Sequence, residues 1–427
     1  MAGRDTIGTY VRGIWALARS GRAPRLRAEK LTYLRERRLR AMVAHAYANV
    51  PYYRRLLDDT GVRPEEIRTE EDLTRLPITE KKDLRQLPVG DVVARGTEIA
   101  RCLRPRSSGT SGVPLAVYRD VAGACIFYAL TARALKMAGA RIADTLMVIG
   151  PGYYPQGLLL QRLGVGRVTN LSPLQHPATL LDAIDAARPE ILHAYASVLK
   201  SLLGYLRTAK RVPHRPRVII SSADYLDEGT RLECREVLGV APVQMYGAVE
   251  TGRVGCECSL RDGLHLFTDF VVPELLPLDG EGTPRVHRVV LTDLTNRVMP
   301  FIRYDQGDLA EVVEGPCECG SVFPRIRLLY ARSSDVVRLL DGDTMSALRL
   351  GGPLWDVPGL DVFKIVQDPS LRLVVKAVMR EGSDNAALRA AVAGVAALVP
   401  ALGVDLELVD AIPANSSGKF THFQSLA

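Results

Sequence analysis

The chain has 427 residues, 47% of them hydrophobic and 24% charged, which places it among folded globular proteins and argues against a disordered one. Its 55 lysines and arginines outnumber 48 acids for a net charge of +7, yet they are spread along the chain and form no nucleic-acid-binding stripe with interleaved aromatics. No apolar run reaches the roughly 18 residues of a membrane span, no signal-peptide core stands at the start, and seven cysteines, an odd number, speak against a disulfide framework, so a cytoplasmic protein of two or three domains is expected.

Residues 26–60 read as helical and basic, with Leu31, Leu34, Leu39, Met42, Val43 and Ala46 recurring near helical spacing. Pro51 ends that first helix, because proline disfavours helix in the residue before it. Residues 61–90 alternate charged turns and short helices, and show no chemistry. A loop, Arg106-Ser-Ser-Gly-Thr-Ser-Gly112, then leads into an expected strand at 113–118. A small-residue helix follows at 121–139. Beyond it, strands at 145–150, 167–171, 191–195 and 217–222 alternate with helices at 177–187 and 197–209. That alternation predicts an α/β fold with a mostly parallel sheet covered by helices. After about residue 360 the pattern reads strand, strand, helix, strand, loop, a small α+β domain.

Four turns carry chemistry. Ser107, Ser108, Gly109, Thr110, Ser111 and Gly112 can wrap hydroxyls and backbone N–H groups around phosphate oxygens. Tyr246 and Gly247 are followed by Glu250, a carboxylate beyond a tight turn and thus a candidate magnesium ligand. Asp308 follows the Gly307 turn and can accept ribose hydroxyls. Lys419 sits alone on a glycine-bearing loop near the C-terminus. Ligands in open α/β sheets lie at the carboxyl ends of strands. Tyr153, Tyr154, His193, Tyr195 and Ala223, together with Gly247, are therefore candidates to line a substrate pocket. Cys256, Cys258, His265, Cys317 and Cys319 are closely spaced soft ligands. Cys102, Cys125 and Cys234 are expected in buried packing.

These turns, in this order, resemble the adenylate-forming enzymes, and within them the phenylacetate–coenzyme A ligase branch. The likeness spans about residues 25–420. It rests on Ser107–Gly112, Tyr246-Gly-x-x-Glu250, Arg303-Tyr-x-x-Gly-Asp308, Ala331-Arg332 to Asp335, and Gly418-Lys419, with Asn49-Val-Pro-Tyr-Tyr-Arg and Leu76-Pro-Ile-Thr-Glu-Lys81 also similar. The resemblance implies a large adenylation domain (1–331), a hinge (332–340) and a small mobile domain (341–427). It implies that ATP and a carboxylic acid give an acyl-adenylate and pyrophosphate, the acyl group then passing to coenzyme A. An amine acceptor, giving an amide, is the alternative. Thr110 and its loop would hold the phosphates, Glu250 Mg²⁺, Tyr246 the adenine, Asp308 and Arg332 the ribose, and Lys419 both ATP and the carboxylate.

Some members of this branch also carry structural zinc, which implies Cys258, His265, Cys317 and Cys319 as a closed four-ligand set. Cys256 is an alternative first ligand, and free thiols in a surface loop are the competing reading. The implied partners are the acid and ATP, without nucleic acid or membrane; a homodimer is left open. The sequence departs from the pattern at Val113, where many relatives have lysine, at Asp305-Gln306, and at Ser334 and Asp335 of the hinge. The hinge departures imply intact adenylation and a slower thioester step.

Overall fold

The structure, a computed structural model, describes residues 23–105, 115–150, 161, 164, 166–209, 211–278, 285–333, 335–355, 357–413 and 419–426. Contacts divide the chain into two compact units. The first comprises Met1–Leu276, Val289–Gln306 and Val312–Arg327; the second comprises Pro277–Arg288, Gly307–Glu311 and Leu328–Ala427.

In the first unit, α1 (Ala28–Asn49) buries Leu31, Leu39, Met42, Val43 and Ala46, the apolar stripe of a helix whose other face is charged. It stops at Val50, which is extended because Pro51 follows. Pro51 opens α2 (Pro51–Thr60), a position where its missing N–H has no helical partner to lose. Both helices pack into one cluster with Val272, Leu294 and Ile302.

Strands β1 (Leu146–Ile149), β2 (Val168–Leu171), β3 (Ile191–Tyr195), β4 (Val218–Ser222) and β5 (Val243–Ala248) lie in the order β2-β1-β3-β4-β5, all parallel. Successive side chains on a strand face opposite ways. Met147 and Ile149 accordingly pack under α4 (Pro177–Ala187) and α5 (Ala196–Ala209), while Leu146 and Val148 pack under α3 (Val121–Met137). The helix α6 (Glu228–Leu238) joins the first of these layers through Cys234 and Leu238. This is the covered parallel half that the sequence predicts.

Beyond β5 the order continues β6 (Gly252–Glu257), β7 (Leu264–Leu266), β11 (Arg325–Arg332), β10 (Tyr304–Val313), β9 (Val286–Asp293) and β8 (Val271–Pro277), strands that the sequence reading had not drawn. Pairing is antiparallel from β5 through β6 and β7 to β11. One expected strand is corrected. Of 113–118, the described Leu115–Tyr118 forms no regular strand among the described residues. Its backbone instead bonds locally, Val117 N–H to the Pro105 carbonyl and Arg119 to Leu103 in both directions. Its side chains Leu115, Val117 and Tyr118 are buried.

The second unit holds the hairpin β12 (Val336–Arg338) and β13 (Thr344–Ser346), then a sheet ordered β16-β15-β14-β17. Here β14 is Leu360–Gln367, β15 Leu373–Met379, β16 Val404–Leu408 and β17 Phe423–Ser425. Helix α7 (Ala386–Leu398) lays Leu388, Val392 and Val395 on Phe363, Ile365, Leu373 and Val375. The sequence reading leaves the tail as loop, but β17 docks parallel to β14 through Ile365 and Phe423. Among the described residues no helix is long and apolar enough to cross a membrane.

Candidate functional site

The first unit gathers three distant stretches around one carboxylate. The β5–β6 pairing slips register between Tyr246 and Gly247. A side chain at position 247 would collide with the Gly252 carbonyl, so glycine is required there. The turn that follows carries Glu250, which is 4% exposed. Its Oε1 receives the Lys81 ammonium at 3.4 Å and the Tyr304 hydroxyl at 3.3 Å. Arg119 donates to the Glu250 backbone carbonyl at 3.4 Å, and the Gln306 amide donates to the Thr251 hydroxyl. Thr79 stitches the stretches together: its N–H bonds the Arg303 carbonyl at 2.8 Å, and Asp305 N–H bonds its carbonyl at 3.0 Å.

Residues 61–90, read from sequence as free of chemistry, therefore contribute Thr79 and Lys81 to this cluster. Arg303 is held in a left-handed backbone conformation, φ 47°, which is unfavourable for a residue with a side chain. Its guanidinium is anchored by Glu274 at 2.8 Å. Tyr246 lies buried on β5.

The carboxyl ends of β3 and β4 are tied to each other. His193 is buried, with Nε2 2.7 Å from the Ser222 hydroxyl. Burial, with the Arg253 charge adding, pushes its pKa down to about 3, so the ring is neutral at physiological pH. Tyr195 ends β3 and packs against Gly150. Ala223, just past β4, has φ 76°, a strained value for alanine. Asp224 accepts the Ala196 and Ser197 N–H groups at 2.7 and 3.1 Å and so caps the start of α5. The structure thus brings His193, Tyr195 and Ala223 to neighbouring strand ends. Ser107, Ser108, Gly109, Thr110, Ser111, Gly112, Tyr153 and Tyr154 lie outside the described residues, as does Ser334.

In the second unit, Asp308 pairs with Arg332 at 3.6 Å, their side chains 22% and 42% exposed. Asp335 accepts the Arg332 N–H at 3.0 Å and returns its own N–H to the Arg332 carbonyl at 3.0 Å, which closes the turn at the end of β11. Burial raises the Asp335 pKa, opposed by that bond to Arg332. Lys419 precedes β17 and is half-buried.

The soft ligands converge in the first unit. Cys258 follows β6, His265 lies in β7, and Cys317 and Cys319 occupy the turn before β11. The ligand atoms of these four residues all lie within 4.8 Å of one another. The sulfurs of Cys258 and Cys317 are 3.8 Å apart, and Cys319 Sγ is 3.5 Å from His265 Nε2. Two thiolates about 2.3 Å from one tetrahedral ion would be about 3.8 Å apart, and a thiolate and an imidazole nitrogen about 3.5 Å apart. Cys256 is not in the group. Its thiol turns to the Ala134 carbonyl in the core, and burial raises its pKa well above the usual range. Cys234 is fully buried, its thiol pushed up to about 12 by burial. Cys102 and Cys125, expected in the core, are only half-buried, since each sits near a chain turn or helix start at the surface.

No family model matches the chain. It is 33% identical over 376 residues to a phenylacetate–coenzyme A ligase of Thermus thermophilus, covering 84% of this chain and 81% of that protein. A phenylacetate–coenzyme A ligase of Escherichia coli is 29% identical over 326 residues, 72% of each chain. Among solved structures, 2-hydroxyisobutyryl-CoA ligase in its postadenylation state matches with a TM-score of 0.76 at 20% identity, over 94% of this chain and 91% of that one. An anthranilate CoA ligase bound to anthranoyl-AMP matches with a TM-score of 0.55 at 16% identity, over 77% and 66%. These structural likenesses speak for the fold.

Proposed function

The chain belongs to the phenylacetate–coenzyme A ligase family, and from that premise we propose that it activates an aromatic, phenylacetate- or benzoate-like acid as its adenylate and passes the acyl group to coenzyme A. It is an ATP-dependent, AMP-forming acid–coenzyme A ligase, with the mixed α/β fold of adenylate-forming enzymes. The observation that carries the residue assignments is the convergence of Lys81, Glu250 and Tyr304 in the first unit.

Adenylation brings a carboxylate against the α-phosphate, so charge stabilisation and placement dominate its barrier. Glu250, a fixed buried carboxylate beside a glycine turn, fits a hard cation and would hold Mg²⁺, which when bound neutralises phosphate oxygens. The loop Ser107–Gly112 offers backbone and hydroxyl donors to those oxygens, and Tyr246 an aromatic face to adenine. Asp308 accepts the ribose hydroxyls with Arg332 beside it. Lys419 supplies a mobile cation during adenylation. His193, neutral and bonded to Ser222, gives the acid pocket a polar group without a charge, and Tyr195 gives it an aromatic wall. We place the hinge at residues 332–340, with Ser334 and Asp335 as its named positions, and expect thioester transfer to be the slower half. Pyrophosphate exchange into ATP, run across phenylacetate, benzoates and short aliphatic acids, tests the substrate class. Exchange supported best by an aliphatic acid would overturn it.

Cys258, His265, Cys317 and Cys319 fit a structural Zn²⁺, since three thiols and one imidazole fill all four positions. Bound there, the metal would cross-link the β6–β7 and β10–β11 turns. Elemental analysis should find about one zinc per chain. Cys317→Ser should lose the metal and lower Tm while leaving KM for ATP near its original value. Reduced protein that purifies without metal would contradict the assignment.

A further inference from the structure

Lys419 is immediately followed by Phe420, and Arg332 is preceded by Tyr330 two positions earlier on the same strand face. A chain of aromatic rings joins these two places within the second unit. Tyr330 lies 4.4 Å from Trp355 between ring centres, Trp355 lies 4.8 Å from His422, and His422 lies 4.8 Å from Phe420 in an edge-on contact. Two of these rings, Tyr330 and His422, are fixed by hydrogen bonds as well as by packing. The Tyr330 hydroxyl donates to the Ala347 and Leu348 carbonyls at 2.9 and 2.5 Å. Gly351 leaves the space that the Tyr330 hydroxyl fills, and any side chain there would collide with it. His422 donates from Nδ1 to the Phe363 carbonyl at 3.0 Å, and its own carbonyl accepts the Ile365 N–H at 2.8 Å.

Core packing alone would account for Phe363 and Trp355. It does not account for a ring on the residue next to Lys419 that meets a hydrogen-bonded histidine edge-on rather than the aliphatic core. We infer that the series Tyr330–Trp355–His422–Phe420 is a positioning device for Lys419, setting the lysine's backbone in fixed relation to Arg332. The inference rests on the proposed role of Lys419 in adenylation. Its consequence is selective: disturbing Phe420 should impair formation of the adenylate and spare transfer of the acyl group to the thiol, a step that does not call on the lysine. Misplacement of a reacting group by about 1 Å can cost on the order of 10²-fold in rate.

The test uses the full chain and measures two half-reactions separately: acid-dependent exchange of pyrophosphate into ATP, and transfer from synthetic acyl-adenylate to coenzyme A. Lys419→Ala serves as the reference. Phe420→Leu should lower the exchange kcat roughly 10- to 100-fold with KM for ATP little changed, and leave thiol transfer within about twofold. Phe420→Tyr, which keeps the ring, should recover most of the exchange. His422→Gln, which removes the ring that Phe420 meets, should reproduce the selective loss and stands in if Phe420→Leu does not fold. Equal losses in both half-reactions would reduce the cluster to ordinary packing and overturn the inference. So would wild-type exchange in Phe420→Leu alongside impaired exchange in Lys419→Ala. Wild-type exchange in Lys419→Ala would instead overturn the assignment of the lysine, and the inference with it.

Discussion

The two units hold their acidic groups in contrasting ways. Glu250 is 4% exposed, and a single oxygen of its carboxylate takes both the Lys81 ammonium and the Tyr304 hydroxyl. Asp308 pairs more loosely with Arg332, at 3.6 Å, and the arginine is 42% exposed. A buried, doubly bonded charge is set before any ligand arrives and needs no reorganisation when it acts. A half-exposed pair is partly screened by water and stabilises the fold less, so it opens to a ligand more readily than the buried one. Glu250 suits a task in which a fixed charge faces phosphate chemistry, and Asp308 one in which a carboxylate exchanges partners with sugar hydroxyls.

The largest effect should come from the fixed side. Glu250→Gln keeps the shape and removes the charge, and should lower acid-dependent pyrophosphate exchange on the order of 10³-fold. Lys81→Met should fall between that variant and the wild type. Exchange within a fewfold of wild type in Glu250→Gln would erase the contrast. On the adaptable side, Asp308→Asn should raise KM for ATP by about tenfold, with kcat little altered. Equal falls in kcat for Asp308→Asn and Glu250→Gln would show that the two carboxylates share one kind of role.

A separate effect, on stability rather than on turnover, concerns another fixed group, His193. Its folded pKa is about 3, below the ordinary 6.5, so between those values the unfolded chain binds a proton that the folded chain refuses. Stability should therefore fall as pH drops from about 6.5 towards 3, by up to about 1.4 kcal/mol per pH unit from this residue. Urea unfolding of the wild type and His193→Gln across that range should show a shallower pH dependence in the variant. Identical slopes would contradict the burial account.

The sequence made some of this plain and hid the rest for physical reasons. Strands β1, β3 and β4 are short apolar runs bounded by breakers, buried on both faces, and such runs are legible locally. Pro51 marked the break between α1 and α2 in the same way. Glu250 and Asp308 stood out because each follows a glycine turn. Lys81 did not, since a lysine in a charged helical turn reads as solvated. Its partnership with Glu250 joins positions far apart in the chain, as does the bridge from Thr79 to Tyr304. The only available signal was the likeness of Leu76–Lys81 to the family. Strands β6 to β11 were missed because their alternation is interrupted by buried polar residues such as Glu257, His265 and Arg325, and β17 because three residues give no period to detect.

The central claim is that this chain couples cleavage of ATP to AMP with formation of an aromatic acyl-CoA thioester. Incubation of the protein with ATP, Mg²⁺, phenylacetate and coenzyme A, followed by mass spectrometry of all products, tests it most directly. The account predicts AMP, pyrophosphate and phenylacetyl-CoA, with AMP and thioester in equal amounts. ADP and phosphate in place of AMP, or AMP that accumulates with no thioester, would contradict it.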